Sequence, residues 1–210
     1  MEDRAHIAVQ QWIDEGGLRG RTTSQEGLLE IHSRFCELLP EDLLWATGRD
    51  DGEQRRVVPG QWRDRDVVIG RHSPVSAGAV PRFLAKFEET YGRLGISDAI
   101  LSTAAAHHRI LWIHPFLDGN GRVARLMSHA MLMETLDTGG IWSISRGLAR
   151  TESQYKGHLA ACDLSRRNDL DGRGSLREES TAEFTRYFLE TSIAPVAFVG
   201  GPVQQDRPRA

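Results

Sequence analysis

Apolar side chains recur at helical spacing along most of this 210-residue chain. In residues 24–39 they form one stripe, which consists of Leu28, Ile31, Phe35, Leu38 and Leu39. Thr23 and Glu26 have the spacing of a capping box at the start of the stripe. Pro40 disfavours helical backbone in the residue before it, so the predicted helix ends there.

Five further helices follow from the same periodicity. Their predicted starts carry proline, a hydroxyl side chain or a loop glycine, at Pro81, Ser97, Gly121, Thr151 and Ser175. The helix from Gly121 is expected to end before the pair Gly139 and Gly140. The pattern therefore predicts a mainly α protein, built as a helical bundle.

Three β-prone runs interrupt the helical pattern, at residues 57–58, 61–63 and 67–69. The last two are separated by turn-forming residues, so we expect a short β-hairpin on the helical body. In this organisation residues 1–23 are a helical lead-in and residues 24–194 form the core. Residues 195–210, which are rich in glycine and proline, are expected to be a flexible tail.

Charge and hydropathy argue against a nucleic-acid-binding protein and against a membrane protein. The chain has 26 Lys and Arg against 29 Asp and Glu, a net charge of −3, which argues against nucleic acid as a partner. No apolar run reaches the roughly 18 residues of a membrane span, and the start lacks a signal-peptide pattern, so we expect a cytoplasmic protein without a membrane partner. Cys36 and Cys162 lie among apolar residues, which predicts buried free thiols.

Candidate chemistry is concentrated in residues 114–125, His-Pro-Phe-Leu-Asp-Gly-Asn-Gly-Arg-Val-Ala-Arg. Pro115 ends one predicted helix at His114, and Gly119, Asn120 and Gly121 form a short loop before the next. Such a loop directs successive backbone N–H groups into one concavity at the positive end of the helix dipole. The segment therefore predicts a phosphate site.

Charged side chains beside this loop suit a polyphosphate with a divalent cation. Arg122 and Arg125 share one face of the first helical turn, where two guanidinium groups can hold phosphates. Asp118 supplies one carboxylate for Mg²⁺, and His114 is an imidazole able to accept a hydroxyl proton near pH 7.

Each of these features also has a purely structural explanation. Gly-Asn-Gly is a common helix–helix turn, two arginines on a helix are usually a solvated face, and a single histidine is usually packed or exposed. Their convergence on one loop favours the functional interpretation. A protein-held metal is a weaker hypothesis, because no metal-binding motif links the four nearby histidines, which are His107, His108, His114 and His129.

Residues 114–125 resemble the signature of the Fic (Fido-domain) family, H-P-F-x-[DE]-G-N-G-R-x-x-R, at all nine fixed positions. The flanks are also similar to the family, namely Ile31-His32, the hairpin stretch Gly60–Gly70 that would be its flap, the lead-in His107–His114 and Leu170–Gly174. The resemblance extends from about Leu28 to Glu190 and implies the Fic-type helical bundle with its flap.

The resemblance implies a protein adenylyltransferase, which transfers AMP from ATP to a Ser, Thr or Tyr hydroxyl of a target protein. His114 would be the catalytic base and Asp118 the ligand of Mg²⁺. The nucleotide would be bound by the nest of Gly119, Asn120 and Gly121, by Arg122, and by Arg125 at the γ-phosphate. Phe116 would anchor the loop in the core.

Two further contacts follow from the same resemblance. The flap would hold the target segment by strand addition. Tyr155 is a candidate wall for the adenine, although a tyrosine on an apolar stripe is more often a core residue.

Three other functions stay open. The same site could remove AMP from a modified protein. A kinase similar to Doc toxins would reverse the nucleotide, but such proteins carry Lys in place of the second motif glycine, and Gly121 is present here. A nucleotide-binding interaction module would lack the base, whereas His114 is present.

Regulation is the last expectation. Many Fic proteins carry an inhibitory motif [ST]-x-x-x-E-[GN] whose glutamate pairs with the γ-phosphate arginine, and residues 22–27 fit it. The capping box explains Glu26 equally well and is the favoured assignment. We therefore expect an inhibitory element on a segment or partner outside this chain.

Overall fold

A computed structural model gives the architecture of residues 1–48, 52–70, 72–136, 144–167 and 176–199, with side chains as far as residue 192. Within these residues the chain forms eight α-helices, which are α1 (Glu2–Asp14), α2 (Gln25–Glu37), α3 (Val80–Tyr91), α4 (Ile96–Ile113), α5 (Asn120–Thr135), α6 (Ile144–Arg150), α7 (Glu152–Cys162) and α8 (Glu178–Val199). Two short 3-10 turns cover Glu41–Leu43 and Ala77–Ala79. The predicted mainly α fold is confirmed.

Helices α4 and α5 form the centre of the bundle, because they pack along each other, α4 also packs against α3 and α8, and α5 also packs against α1, α2 and α6. One apolar core lies between them and α1, α2 and α3, and includes Leu28, Leu84, Ile110 and Leu126. A second core joins α4 and α5 to α6, α7 and α8 around Phe184 and Phe188. The loop between α4 and α5, which carries the motif, therefore emerges from the best-buried pair of helices.

The capping box predicted at the start of α2 is wrong. Ser24 is the N-cap residue, and its Oγ accepts a hydrogen bond of 3.0 Å from the Gly27 N–H. Glu26 points outward and pairs with Arg21 at 3.0 Å, while 77% of its side chain is exposed. Ser24 directly follows Thr23, and both side chains are good N-caps. Local spacing alone does not show which of the two caps the helix.

The predicted strands at 57–58, 61–63 and 67–69 are also wrong in position. The hairpin pairs β1 (Trp45–Thr47) with β2 (Gln54–Arg56) in antiparallel register. Among the described residues between β2 and the second 3-10 turn, β-pairing is limited to a single bridge between Ile69 and His72. This stretch is held by the His32 ring and by backbone carbonyls at the end of α4, as described below, instead of by a sheet.

Predictions for helix starts, cysteines and the C-terminal tail have mixed outcomes. Gly95, not Ser97, is the N-cap of α4, and α6 was not predicted. Cys36 and Cys162 are buried free thiols, as expected. Helix α8 continues to Val199, so the first residues of the predicted tail are helical. The predicted features at Gly139–Gly140, 170–174, Ser175 and 200–210 lie outside the described residues.

Within the described part of the chain, no helix combines the length and the apolar character needed to cross a bilayer.

Candidate active site

The candidate site begins where α4 ends. The His114 N–H still donates to the Ile110 carbonyl at 2.9 Å, but its backbone is left-handed, with φ 52° and ψ 61°. It is the only residue besides glycines with positive φ in the described chain. The following proline predicts extended backbone here, so the left-handed geometry is a feature that sequence reasoning missed.

The imidazole of His114 is held in one tautomer. Its Nδ1 lies 3.3 Å from the Leu111 carbonyl, which can only accept a hydrogen bond. Nδ1 is therefore protonated and Nε2 carries the lone pair. Burial, opposed by the bond to Leu111 and reinforced by the charge of Arg63, lowers the pKa of His114 to about 4. The ring is thus neutral at pH 7 and able to accept a proton through Nε2.

Asn120 closes the loop that follows. Its side-chain oxygen accepts from the Phe116 N–H and its amide donates to the Phe116 carbonyl, both at 2.9 Å. The side chain is 2% exposed, so it fixes the loop from inside. The contribution of Asn120 to an anion site is therefore confined to its backbone N–H.

Phe116 is fully buried below the loop, as the sequence indicated. Its ring stacks on His32 with centroids 3.9 Å apart and 7° between the planes, and Trp62 packs on it at 4.8 Å. His32 also accepts a bond from the Gly60 N–H at Nδ1 (3.0 Å) and donates from Nε2 to the Asp118 carbonyl (3.3 Å). Helix α2 thereby connects the flap stretch to the motif loop.

The residues of the predicted anion nest lie at the first turn of α5. Gly119 is the N-cap, with φ 82°, a conformation that glycine adopts without strain. Its carbonyl accepts from the N–H groups of Arg122 and Val123 at 3.0 Å. The N–H groups of Asn120 and Gly121 lie at the open start of the helix, where an anion is favoured. Asp118 is exposed beside them, and its Oδ1 accepts from Gly119 N–H at 2.6 Å.

Arg122 already has a carboxylate partner. Its Nη2 forms an ion pair with Glu2 at the start of α1, and its guanidinium lies 5.0 Å above the Phe35 ring. The side chains of Arg122 and Glu2 are 23% and 44% exposed. The sequence offered no signal for this pairing, because the two residues are far apart along the chain.

Arg125 stands at the end of a buried chain of hydrogen bonds. The Ser128 hydroxyl donates to the Ala124 carbonyl at 2.8 Å, so its oxygen accepts from His107 Nδ1 at 2.9 Å. His107 Nε2 then accepts from the Tyr155 hydroxyl at 2.7 Å.

The phenol oxygen of Tyr155 in turn accepts from the Arg125 guanidinium. Burial lowers the pKa of His107 to about 3, which keeps this histidine neutral. Tyr155 is only 8% exposed, so its hydroxyl is committed to this chain. Its assignment as an adenine wall stays a prediction.

A cleft of about 350 Å³ opens beside the two motif arginines. Its lining residues include Arg122, Arg125 and Tyr155, together with Glu2, His6 and Lys156. Because Arg122 belongs to the first turn of α5, the cleft lies beside the N-terminus of that helix.

The chain is similar to known proteins in sequence and in fold. The model of the Fic/DOC family matches residues 22–132, more than half of the chain. The chain belongs to the Fic/DOC family. The match includes the whole motif loop, α2 with His32 and the flap stretch, and it ends within α5.

Curated relatives carry the name protein adenylyltransferase Fic. The protein from Drosophila erecta is 32% identical over 99 residues, which are 46% of this chain and 20% of that protein. The protein from Culex quinquefasciatus is 35% identical over 98 residues, 44% of this chain and 19% of that protein. The chain therefore spans about a fifth of the length of the curated Fic relatives it matches.

Solved Fic structures share the fold. A Fic family protein from Desulfovibrio desulfuricans G20 aligns with 97% of this chain and 55% of its own, with TM-score 0.63 and 16% identity. A Fic domain-containing signaling protein from Bacteroides thetaiotaomicron aligns with 93% of this chain and 69% of its own, with TM-score 0.62 and 20% identity. The expected Fic-type helical bundle is thus confirmed.

The structure brings the sequence-predicted residues of the Fic motif together around one loop and one helix start. It adds four residues that the sequence did not single out as parts of the site, namely Glu2, Arg63, His107 and Ser128. Among the described residues, no group of three His, Cys, Asp or Glu side chains could hold a metal ion by itself.

Proposed function

We propose that this protein is a protein adenylyltransferase, which transfers AMP from ATP to a hydroxyl group of a target protein. The observation that carries the proposal is the neutral His114 ring, with its Nε2 lone pair available, next to the anion nest at the start of α5. Membership of the Fic/DOC family and relatives named adenylyltransferase support it.

In the proposed reaction the ATP phosphates lie on the N–H groups of Asn120 and Gly121. Arg122 releases Glu2 and binds the phosphates, and Arg125, oriented by Tyr155, binds the γ-phosphate. Charge-assisted contacts of this kind fix the nucleotide and neutralise charge that develops during transfer.

The chemistry itself needs one proton transfer. The target hydroxyl gives its proton to His114 Nε2 while its oxygen forms a bond to the α-phosphorus. The bond from that phosphorus to the β-phosphate oxygen breaks, and pyrophosphate leaves. A base in this position accelerates such a step by about 10²–10⁴-fold.

Mg²⁺ fits the donor set of the site. Asp118 is the exposed carboxylate beside the nest, and Mg²⁺ in nucleotide sites commonly takes one carboxylate together with phosphate oxygens and water. When bound, the ion neutralises phosphate charge. Asp118 would hold it, with Oδ1 already oriented by the Gly119 N–H.

The target segment is proposed to lie along the flap stretch, residues 60–70. Val68 and Ile69 are 38% and 42% exposed there. The Gly60 and Arg63 N–H groups are already bonded to His32 and to the Pro115 carbonyl, so strand addition is proposed near the exposed Val68, which is outside any described sheet.

Labelled ATP tests the proposal. The protein is incubated with Mg²⁺, a cell lysate and ATP labelled at either the α- or the γ-phosphate, with His114→Ala as the matched control. Label from the α-phosphate on protein, lost in His114→Ala, is the expected result. Label from the γ-phosphate alone would identify a kinase instead, and tight ATP binding without transfer would identify a nucleotide-binding module. Release of AMP from a modified protein would identify the reverse activity.

A further inference from the structure

Arg63 is a buried charge at the motif loop. Its side chain is 0% exposed. Within the described residues, no other Arg, Lys, Asp or Glu is buried. A guanidinium removed from water is costly unless its donors are bonded. A buried arginine in the flap stretch is therefore expected to have a specific role.

The donors of Arg63 all meet backbone carbonyls. Nε donates to the His114 carbonyl at 2.7 Å and Nη1 to the Arg65 carbonyl at 2.6 Å. Nη2 donates to Val75 and, at 3.5 Å, to Ile113. The Asp66 carboxylate, 3.8 Å away and 76% exposed, is a weak partner by comparison.

The backbone of Arg63 completes the arrangement. Its N–H donates to the Pro115 carbonyl at 2.9 Å. One residue thus binds the carbonyls of three consecutive positions, Ile113, His114 and Pro115. A positive charge at the C-terminus of α4 also complements the negative end of that helix dipole.

These contacts surround the left-handed residue of the site. A residue with a Cβ populates φ near +52° only when neighbouring contacts over-determine it. The conformation of His114 decides where the imidazole lies and allows Nδ1 to reach Leu111.

We propose that Arg63 is a positioning residue, which holds His114 in its left-handed conformation and thereby aims Nε2 at the incoming hydroxyl. This inference rests on the proposed function of His114 as the base. It differs from a role in stability alone, because it requires the rate of transfer to depend on Arg63 when the protein is folded and has bound ATP.

The test uses Arg63→Lys and Arg63→Gln. Lysine keeps the charge and glutamine keeps a donor, but neither can span the carbonyls on three segments. Leu18→Ala, at a buried position outside the site, serves as the control for a loss of stability alone. Circular dichroism, the Kd for a non-hydrolysable ATP analogue and kcat for AMP transfer are measured for each.

We expect kcat to fall at least tenfold in both Arg63 variants while Kd stays within threefold of the wild type. Leu18→Ala should keep kcat within twofold at a temperature where it is folded. Folded Arg63 variants with kcat within twofold of the wild type would overturn the inference.

A second measurement needs no activity. The Cα and Cβ NMR shifts of His114 report its backbone conformation, and we expect them to leave the left-handed range in the Arg63 variants. Unchanged His114 shifts would overturn the inference, whether or not the wild type transfers AMP. Absence of AMP transfer by the wild type would refute only the proposed function. If both variants unfold, the wild-type Arg63 Nε–H is examined. Protection from exchange is expected, and exchange as fast as in exposed arginines contradicts the inference.

Discussion

Glu2 forms an ion pair with Arg122, the first arginine of the Fic motif, across the interface of α1 with α5. The Glu2 carboxylate is therefore bound to the guanidinium group that would bind phosphate in the proposed function. Under the proposed function ATP would compete with Glu2 for this arginine, and α1 would then influence the affinity of the site.

Glu2→Gln is expected to raise the affinity for ATP. A partly exposed ion pair is worth up to about 1 kcal/mol, so the gain should be roughly twofold to fivefold. Isothermal titration with a non-hydrolysable ATP analogue measures it. Glu30→Gln, a change on α2 that breaks ion pairs with Arg21 and Arg34, is the control and should leave the affinity unchanged. An unaltered Kd in Glu2→Gln would show that the pair does not compete with the nucleotide.

Arg125→Ala should weaken ATP binding more than ADP binding, because the proposed contact is to the γ-phosphate. Loss of one charge-assisted contact costs about 1.5–3 kcal/mol, roughly tenfold to a hundredfold in Kd for ATP. Tyr155→Phe removes the acceptor that orients Arg125, so a smaller shift in the same direction is expected. Equal losses for ATP and ADP in Arg125→Ala would contradict the assignment.

His114→Ala should abolish AMP transfer and leave ATP binding within threefold of the wild type, since the ring serves the hydroxyl and not the phosphates. His114→Gly should be the more stable of the two inactive variants, by about 1 kcal/mol, because glycine adopts positive φ without strain. Urea unfolding compares their stabilities. If His114→Ala is as stable as His114→Gly, the left-handed backbone is not a source of strain.

Stability should fall as the pH decreases from 6.5 towards 4. Burial lowers the pKa of His6, His32 and His114 to about 4 and that of His107 to about 3. Unfolded histidines titrate near 6.5, so in this window the unfolded chain binds more protons and is favoured. Each group contributes a slope of up to about 1.4 kcal/mol per pH unit, and its full stabilisation is present above pH 6.5.

Urea midpoints between pH 7.5 and 4.5 measure this dependence. His32→Gln removes one of the four titrating groups, so its stability should vary less steeply with pH than that of the wild type. A variant with the same slope would show that His32 does not contribute.

Local patterns in the sequence were sufficient to predict most of the helices, although not α6, and to locate the motif loop. The stripe around Ile31 and Phe35 predicts α2, because helical periodicity depends on residues three and four apart. The nest at Gly119–Gly121 is similarly contained in contiguous residues at one helix start. The identity of the cap at Ser24 depended on a choice between adjacent hydroxyl residues, which such patterns do not resolve.

Only the tertiary structure decided the contacts that complete the site. Glu2 meets Arg122, Arg63 meets the His114 carbonyl, and Tyr155 meets His107, in each case across dozens of residues of sequence. Contacts with distant parts of the chain also explain why the β-prone flap stretch does not form the predicted hairpin. The His32 ring and the carbonyls at the end of α4 satisfy its polar groups, and distant packing therefore overrides its intrinsic preference.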